Sequence, residues 1–114
     1  MNCGGAQMSL RELRDYFTGP WAFRLPFSDE EMSEPLLMAY GIVSVAVRDD
    51  CTVIEVSPER VTWKKENGTI AGEFHPPVSF KPYFQLIMKR DQLLQTHLRL
   101  VEETEIIAVY HILR

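Results

Sequence analysis

A mainly β domain, an antiparallel meander of about eight strands closing into a small barrel, is what this sequence of 114 residues predicts. Three observations carry the prediction. Turn signals at Asp49-Asp50, at Ser57–Arg60 with Pro58, and at Asn67-Gly68 all select the same apolar face when the chain is folded at each. The segment 106–113 is β-branched and aromatic, which suits a strand. Finally, 20–27 supplies a first strand, bringing the count to what a small closed barrel needs.

The elements follow in order. Residues 1–8 are expected to be a disordered N-terminus, and 9–114 a single barrel-like domain. Ser9-Leu10-Arg11-Glu12 is a capping box, with Met8 and Leu13 as a hydrophobic staple. It starts a helix from about Leu10 to Thr18, stopped by Gly19 and Pro20. Ser28-Asp29-Glu30-Glu31 repeats the box, with Phe27 and Met32 as staple, for a short helix near 29–34 ended by Pro35.

A four-stranded meander is expected over roughly 38–75. Folding at Asn67-Gly68 sets Lys65 against Ile70, Trp63 against Gly72 and Val61 against Phe74. Folding at Asp49-Asp50 sets Val47, Val45 and Val43 against Thr52, Ile54 and Val56. The turn at Ser57–Arg60 pairs Val56 with Val61 and Ile54 with Trp63. One face then carries Val43, Val45, Val47, Ile54, Val56, Val61, Trp63, Ile70 and Phe74. The other carries Ser44, Arg48, Glu55, Thr62, Lys64, Glu66, Thr69, Glu73 and His75. Trp63 opposite Gly72 reads as an aromatic covering a glycine.

The prolines of 76–82 make a connector. Residues 83–101 read as a hairpin turning at Arg90-Asp91. The alternative is one helix with Phe84, Ile87, Leu94, Leu98 and Val101 on a face, which would make the fold α+β. Folding at Glu103-Thr104 favours the hairpin. It puts Leu94, Thr96, Leu98 and Leu100 with Ile107, Val109, His111 and Leu113, and leaves Gln95, His97, Arg99, Ala108 and Tyr110 opposite.

The short N-terminal helix leads directly into Gly19-Pro20-Trp21 on the first strand. This resembles the G-x-W signature of the lipocalin-like (calycin) superfamily. The resemblance implies an eight-stranded barrel holding a small apolar ligand in its mouth. It implies a tryptophan, Trp21, plugging one barrel end, and a basic residue from the last strand packing over it, with Arg114 as the candidate and Arg99 next.

Composition narrows function by exclusion. The formal net charge of −4 offers neither the basic footprint that nucleic acid requires nor attraction to an anionic membrane. No apolar run approaches the roughly 20 residues of a membrane-spanning helix, and the N-terminus has no apolar signal region. Cys3 and Cys51 form no CxxC and are read as thiols in a reducing compartment, so the expected location is cytoplasmic. Gly4-Gly5 and Gly19 match no phosphate loop, no GxSxG elbow occurs, and the histidines show no HxH or HExxH spacing. No cofactor and no metal are expected, and no catalytic residue is assigned.

The leading functional expectation is a non-enzymatic domain that holds a hydrophobic or aromatic small molecule. Its pocket candidates are Phe23, Tyr40, Trp63, Phe74, Phe84 and His111, with Tyr40 or His111 fixing the ligand's orientation. His111 falls on the apolar face of its strand, where it is either a ligand-orienting group or a core histidine bonded to Thr96. His97 and His75 read as surface residues, and Lys64 is expected to pair with Glu73. One rival is a homo-oligomeric interaction module, a homodimer burying an open sheet face. The other is a small enzyme with His111 as general base.

Overall fold

The computed structural model describes residues 9–17, 19–76 and 79–113. It is an α+β fold: helices α1 (Leu10–Tyr16), α2 (Glu34–Arg48), α3 (Lys81–Arg90) and α4 (Gln92–His97), and strands β1 (Val53–Val56), β2 (Val61–Lys64), β3 (Ile70–Phe74), β4 (Leu98–Glu103) and β5 (Ala108–Ile112). The strands form one open antiparallel sheet in the order β3-β2-β1-β5-β4, so the expected eight-stranded barrel is not formed. The α+β alternative is the one that matches.

The local signals of α1 operate as read. The Ser9 hydroxyl accepts from the Glu12 amide at 3.1 Å, and the Glu12 carboxylate accepts from the Ser9 amide at 3.3 Å. Met8 of the expected staple lies outside the described residues. The second box closes only a 3₁₀ turn at Asp29–Glu31. Pro35, expected to end a helix, instead sits in the first turn of α2, where its missing N–H leaves no hydrogen bond unmade; Ser33 is the cap.

The largest correction is α2 itself. Val43, Val45 and Val47 were expected in a strand opposite Thr52, Ile54 and Val56, but they lie on this helix. Every residue from Leu37 to Ala46 is buried. A helix buried on all sides shows no amphipathic period, and its β-branched run imitates a strand. Asp49-Asp50 is a turn, with Asp50 at φ +59°, but it joins α2 to β1 rather than two strands.

The remaining meander forms. Ile54 pairs with Trp63, Val56 with Val61, Trp63 with Gly72 and Val61 with Phe74. A Cβ on Gly72 would come within 2.5 Å of the Trp63 ring, so the indole lies directly on the glycine. A register shift after Trp63 pairs Ile70 with Lys64, not Lys65, and Ile70 is exposed. Gly68, at φ +87°, closes the turn with a Lys65–Thr69 hydrogen bond of 2.9 Å.

Residues 20–27 form no strand. Trp21, Phe23, Leu25 and Phe27 alternate inward as a strand would, but they pack against the helical side of the core. The Ser44 hydroxyl, buried on α2, accepts from the Ala22 amide at 2.9 Å. Pro20 and Pro26 have no N–H for a ladder. The expected hairpin of 83–101 is two helices followed by the start of β4 at Leu98: Phe84 and Ile87 turn inward on α3, and Asp91 separates the two helices and caps α4.

The β4–β5 hairpin turns at Thr104–Ile107. Leu98 pairs with Ile112, Arg99 with His111 and Leu100 with Tyr110. This is three residues from the expected register, and an odd slip exchanges faces. Ala108, Tyr110 and Ile112 therefore face the core, and His111 is exposed. The core lies between one sheet face and the helices: Phe17 at the end of α1 contacts the Phe74 ring, and Phe84 of α3 contacts the Tyr110 ring. A Cβ on Gly41 would fall on the Phe17 ring, so that glycine lets α1 seat against α2.

Candidate functional site

Because α3 lies over β5, the inner side of β4 at the sheet edge is left uncovered. A groove of about 670 Å³ runs there. Leu86 and Met88 of α3, Leu98 and Leu100 of β4 and Tyr110 of β5 form its apolar lining; Gln85, Lys89, Gln95, Arg99 and Glu103 edge it. α4 is tied to α3 at the groove's end, where the Gln95 side chain donates to the Met88 carbonyl at 2.8 Å.

The polar groups at the groove are organised. The Gln85 side chain donates to the Glu103 carboxylate, and Lys81 Nζ donates to Gln85 Oε1 at 3.5 Å, linking the start of α3 to the end of β4. Tyr110 is only 2% exposed, and its hydroxyl makes no hydrogen bond among the described residues. Burial, with the nearby Glu103 carboxylate, pushes this phenol up to about 12. It is therefore a neutral donor at ordinary pH.

A second cluster lies on the helical layer. The fully buried Tyr40 hydroxyl donates to Asp91 Oδ2, while Asp91 Oδ1 accepts from the Leu94 amide at 3.0 Å and caps α4. Burial, then the Asp91 hydrogen bond and charge, raise the Tyr40 phenol far above its ordinary value. Phe23 and Phe27 each stand 5.7 Å from the Tyr40 ring, and Phe23 stacks on His97 at 5.0 Å. These contacts weld 20–28, α2 and α4 together; the cluster is packing.

His97 nevertheless has a titration consequence. Burial holds its imidazole below the ordinary 6.5, so the folded chain resists the proton that the unfolded chain accepts. The resulting stability is present above about pH 6.5 and is lost as pH falls through the folded value. Urea midpoints are expected to fall from neutral pH to about pH 5, and His97→Phe to flatten that slope. An unchanged slope in the variant would refute it.

Of the six residues expected to line a pocket, only Phe23 and Tyr40 make a ring contact with each other. Phe84 packs on Phe80 and on Tyr110, behind the groove. Phe74 sits among Tyr16 and Phe17, at the opposite end of the sheet order. Trp63 covers Gly72, its buried indole N–H lacking a hydrogen-bond partner among the described residues. His111 lies on the outer sheet face between Arg99 and Val53, not near Thr96. Lys64 pairs with Glu55 at 3.1 Å, whereas Glu73 meets His75 at 3.1 Å and Arg60 at 3.9 Å. Arg114, expected over Trp21, lies outside the described residues, as does Cys3; Cys51 is buried.

Tyr110, Leu100 and Gln85 are the groove residues that sequence reasoning missed. Their signal was the helical spacing of 80–88, which makes α3 and exposes one side of β4. Among the described residues no group of three or more His, Cys, Asp and Glu side chains could hold a metal ion, and no helix is long and apolar enough to cross a membrane. No protein-family model, curated protein or solved structure matches the chain.

Proposed function

We propose that this chain is a non-enzymatic binding domain that takes a small apolar or aromatic molecule in the groove between α3 and β4. The observation that carries the reading is a groove of about 670 Å³ with an apolar lining and, among its walls, the neutral Tyr110 hydroxyl, which makes no hydrogen bond among the described residues. Small-ligand sites combine a cavity of this size with a few placed polar groups. Desolvating apolar surface on Leu86, Met88 and Leu100 supplies the affinity. Tyr110 donates to an acceptor on the ligand, and the Gln85–Glu103 pair orients its polar end.

The test is titration with the fluorescent apolar anion 1-anilinonaphthalene-8-sulfonate, beside native mass spectrometry for a retained molecule. Saturable one-to-one uptake is expected. Leu86 and Leu100 are each 46% exposed, so Leu86→Asp and Leu100→Asp are expected to keep the wild-type circular dichroism spectrum. Each is expected to weaken uptake about tenfold, in line with the loss of one buried leucine contact. Absence of saturable uptake, or uptake unchanged in both variants, would overturn the reading.

A further inference from the structure

The two edges of the sheet are unlike. At β3 the Tyr16 hydroxyl donates to the Glu73 carbonyl at 2.7 Å, so α1 covers part of that edge. At β4, residues 99–103 make no backbone hydrogen bond except to β5 among the described residues. The same edge exposes Leu100 and Val101, and the adjoining turn exposes Ile106 at 72%. An unpaired edge with exposed apolar residues is a template for another strand.

We infer that β4 pairs antiparallel with β4 of a second copy of this chain, about a two-fold axis normal to the sheet between Leu100 and Val101. Such an axis keeps the outer faces of both sheets on one side. It places Arg99 opposite the partner's Glu102, and Glu102 opposite the partner's Arg99. Charges three positions apart on a regular strand point to opposite faces and could not meet this way. Here the register shift between Leu100 and Glu102 corrects the parity. Arg99 lies opposite His111 and Glu102 opposite Val109, so both side chains stand on the outer face.

The same bulge selects the occupant. A regular strand from another protein would meet Leu100-Val101 one residue short. A second copy brings its own extra residue, two against two, with matching local twist. Self-complementary charge and a self-complementary bulge together specify this chain as the partner. The inference does not rest on the groove's ligand, since mass reads the one and probe uptake the other.

The experiment is sedimentation equilibrium of the full chain across the micromolar range. The wild type is expected to show a concentration-dependent species of twice the chain mass. Arg99→Glu and Glu102→Arg place like charges together at both contacts, and each is expected to weaken association about tenfold or more. Mixing the two variants in equal amounts restores Arg opposite Glu at both contacts, so a heterodimer is expected. Both side chains are exposed and make no hydrogen bond among the described residues, so circular dichroism should be unchanged. A wild type that stays monomeric, a dimer that both variants leave intact, or a mixture that does not reassociate would overturn the proposal.

Discussion

Phe84→Ala is expected to lower unfolding stability by roughly 3–5 kcal/mol, the range for truncating a buried phenylalanine. That is a large part of the roughly 5–15 kcal/mol available to a small domain. The side chain is fully buried, with its ring 5.7 Å from that of Phe80 and 5.1 Å from that of Tyr110. It is the contact through which α3 is held over β5, and it backs the groove wall formed by Tyr110. Were Phe84 a ligand contact in an open cavity, its loss would cost probe affinity and little stability. Urea unfolding followed by circular dichroism separates the two. A change below about 1 kcal/mol would mean that α3 is not anchored by this ring.

Asp91→Ala carries the second large effect. Asp91 serves two acceptor roles at once: one oxygen caps α4 through the Leu94 amide, and the other receives the Tyr40 hydroxyl. Losing the cap costs about 1 kcal/mol. Leaving the fully buried Tyr40 hydroxyl without a partner costs a further 1–3 kcal/mol or so. The expected loss is therefore roughly 2–4 kcal/mol. Tyr40→Phe removes the orphaned donor, so the double variant should be less damaged than the two single losses added together. A coupling of roughly 0.5–3 kcal/mol is expected from a double-mutant cycle in urea. Additive losses would show that Tyr40 and Asp91 do not act as a pair.

Other consequences of the fold concern the placement of polar groups. Ser44, on the polar face of a strand in the sequence reading, is a buried clamp for the 19–28 segment. His111, read as an inward ligand-orienting group, stands on the outer face beside Arg99. The groove replaces the barrel mouth as the place where a small molecule can be desolvated, and it depends on an element the hairpin reading lacked, α3.

What the sequence determined by itself is local in origin. The Ser9–Glu12 box starts α1 because its two capping groups lie within four consecutive residues. Ser57–Arg60 sets the β1–β2 register because a short turn dictates which residues meet across it, and Asn67-Gly68 places the β2–β3 turn, with the shift after Trp63 bringing Trp63 opposite Gly72. Trp63 over Gly72 follows from that register. Tertiary structure decided the rest. The valines of 43–47 favour strand locally, but α2 fills the centre of the molecule, and burial on every side outweighs a propensity difference of well under 1 kcal/mol per residue. Residues 81–97 carry apolar spacings that fit either a hairpin or helices. The sheet face left bare by β5 selected helices, since only those bring Phe84 onto Tyr110. The β4–β5 register then followed from the Thr104–Ile107 turn and from burying Ala108, Tyr110 and Ile112. Both the groove and the bulged free edge come from long-range packing, to which alternation within a single strand is blind.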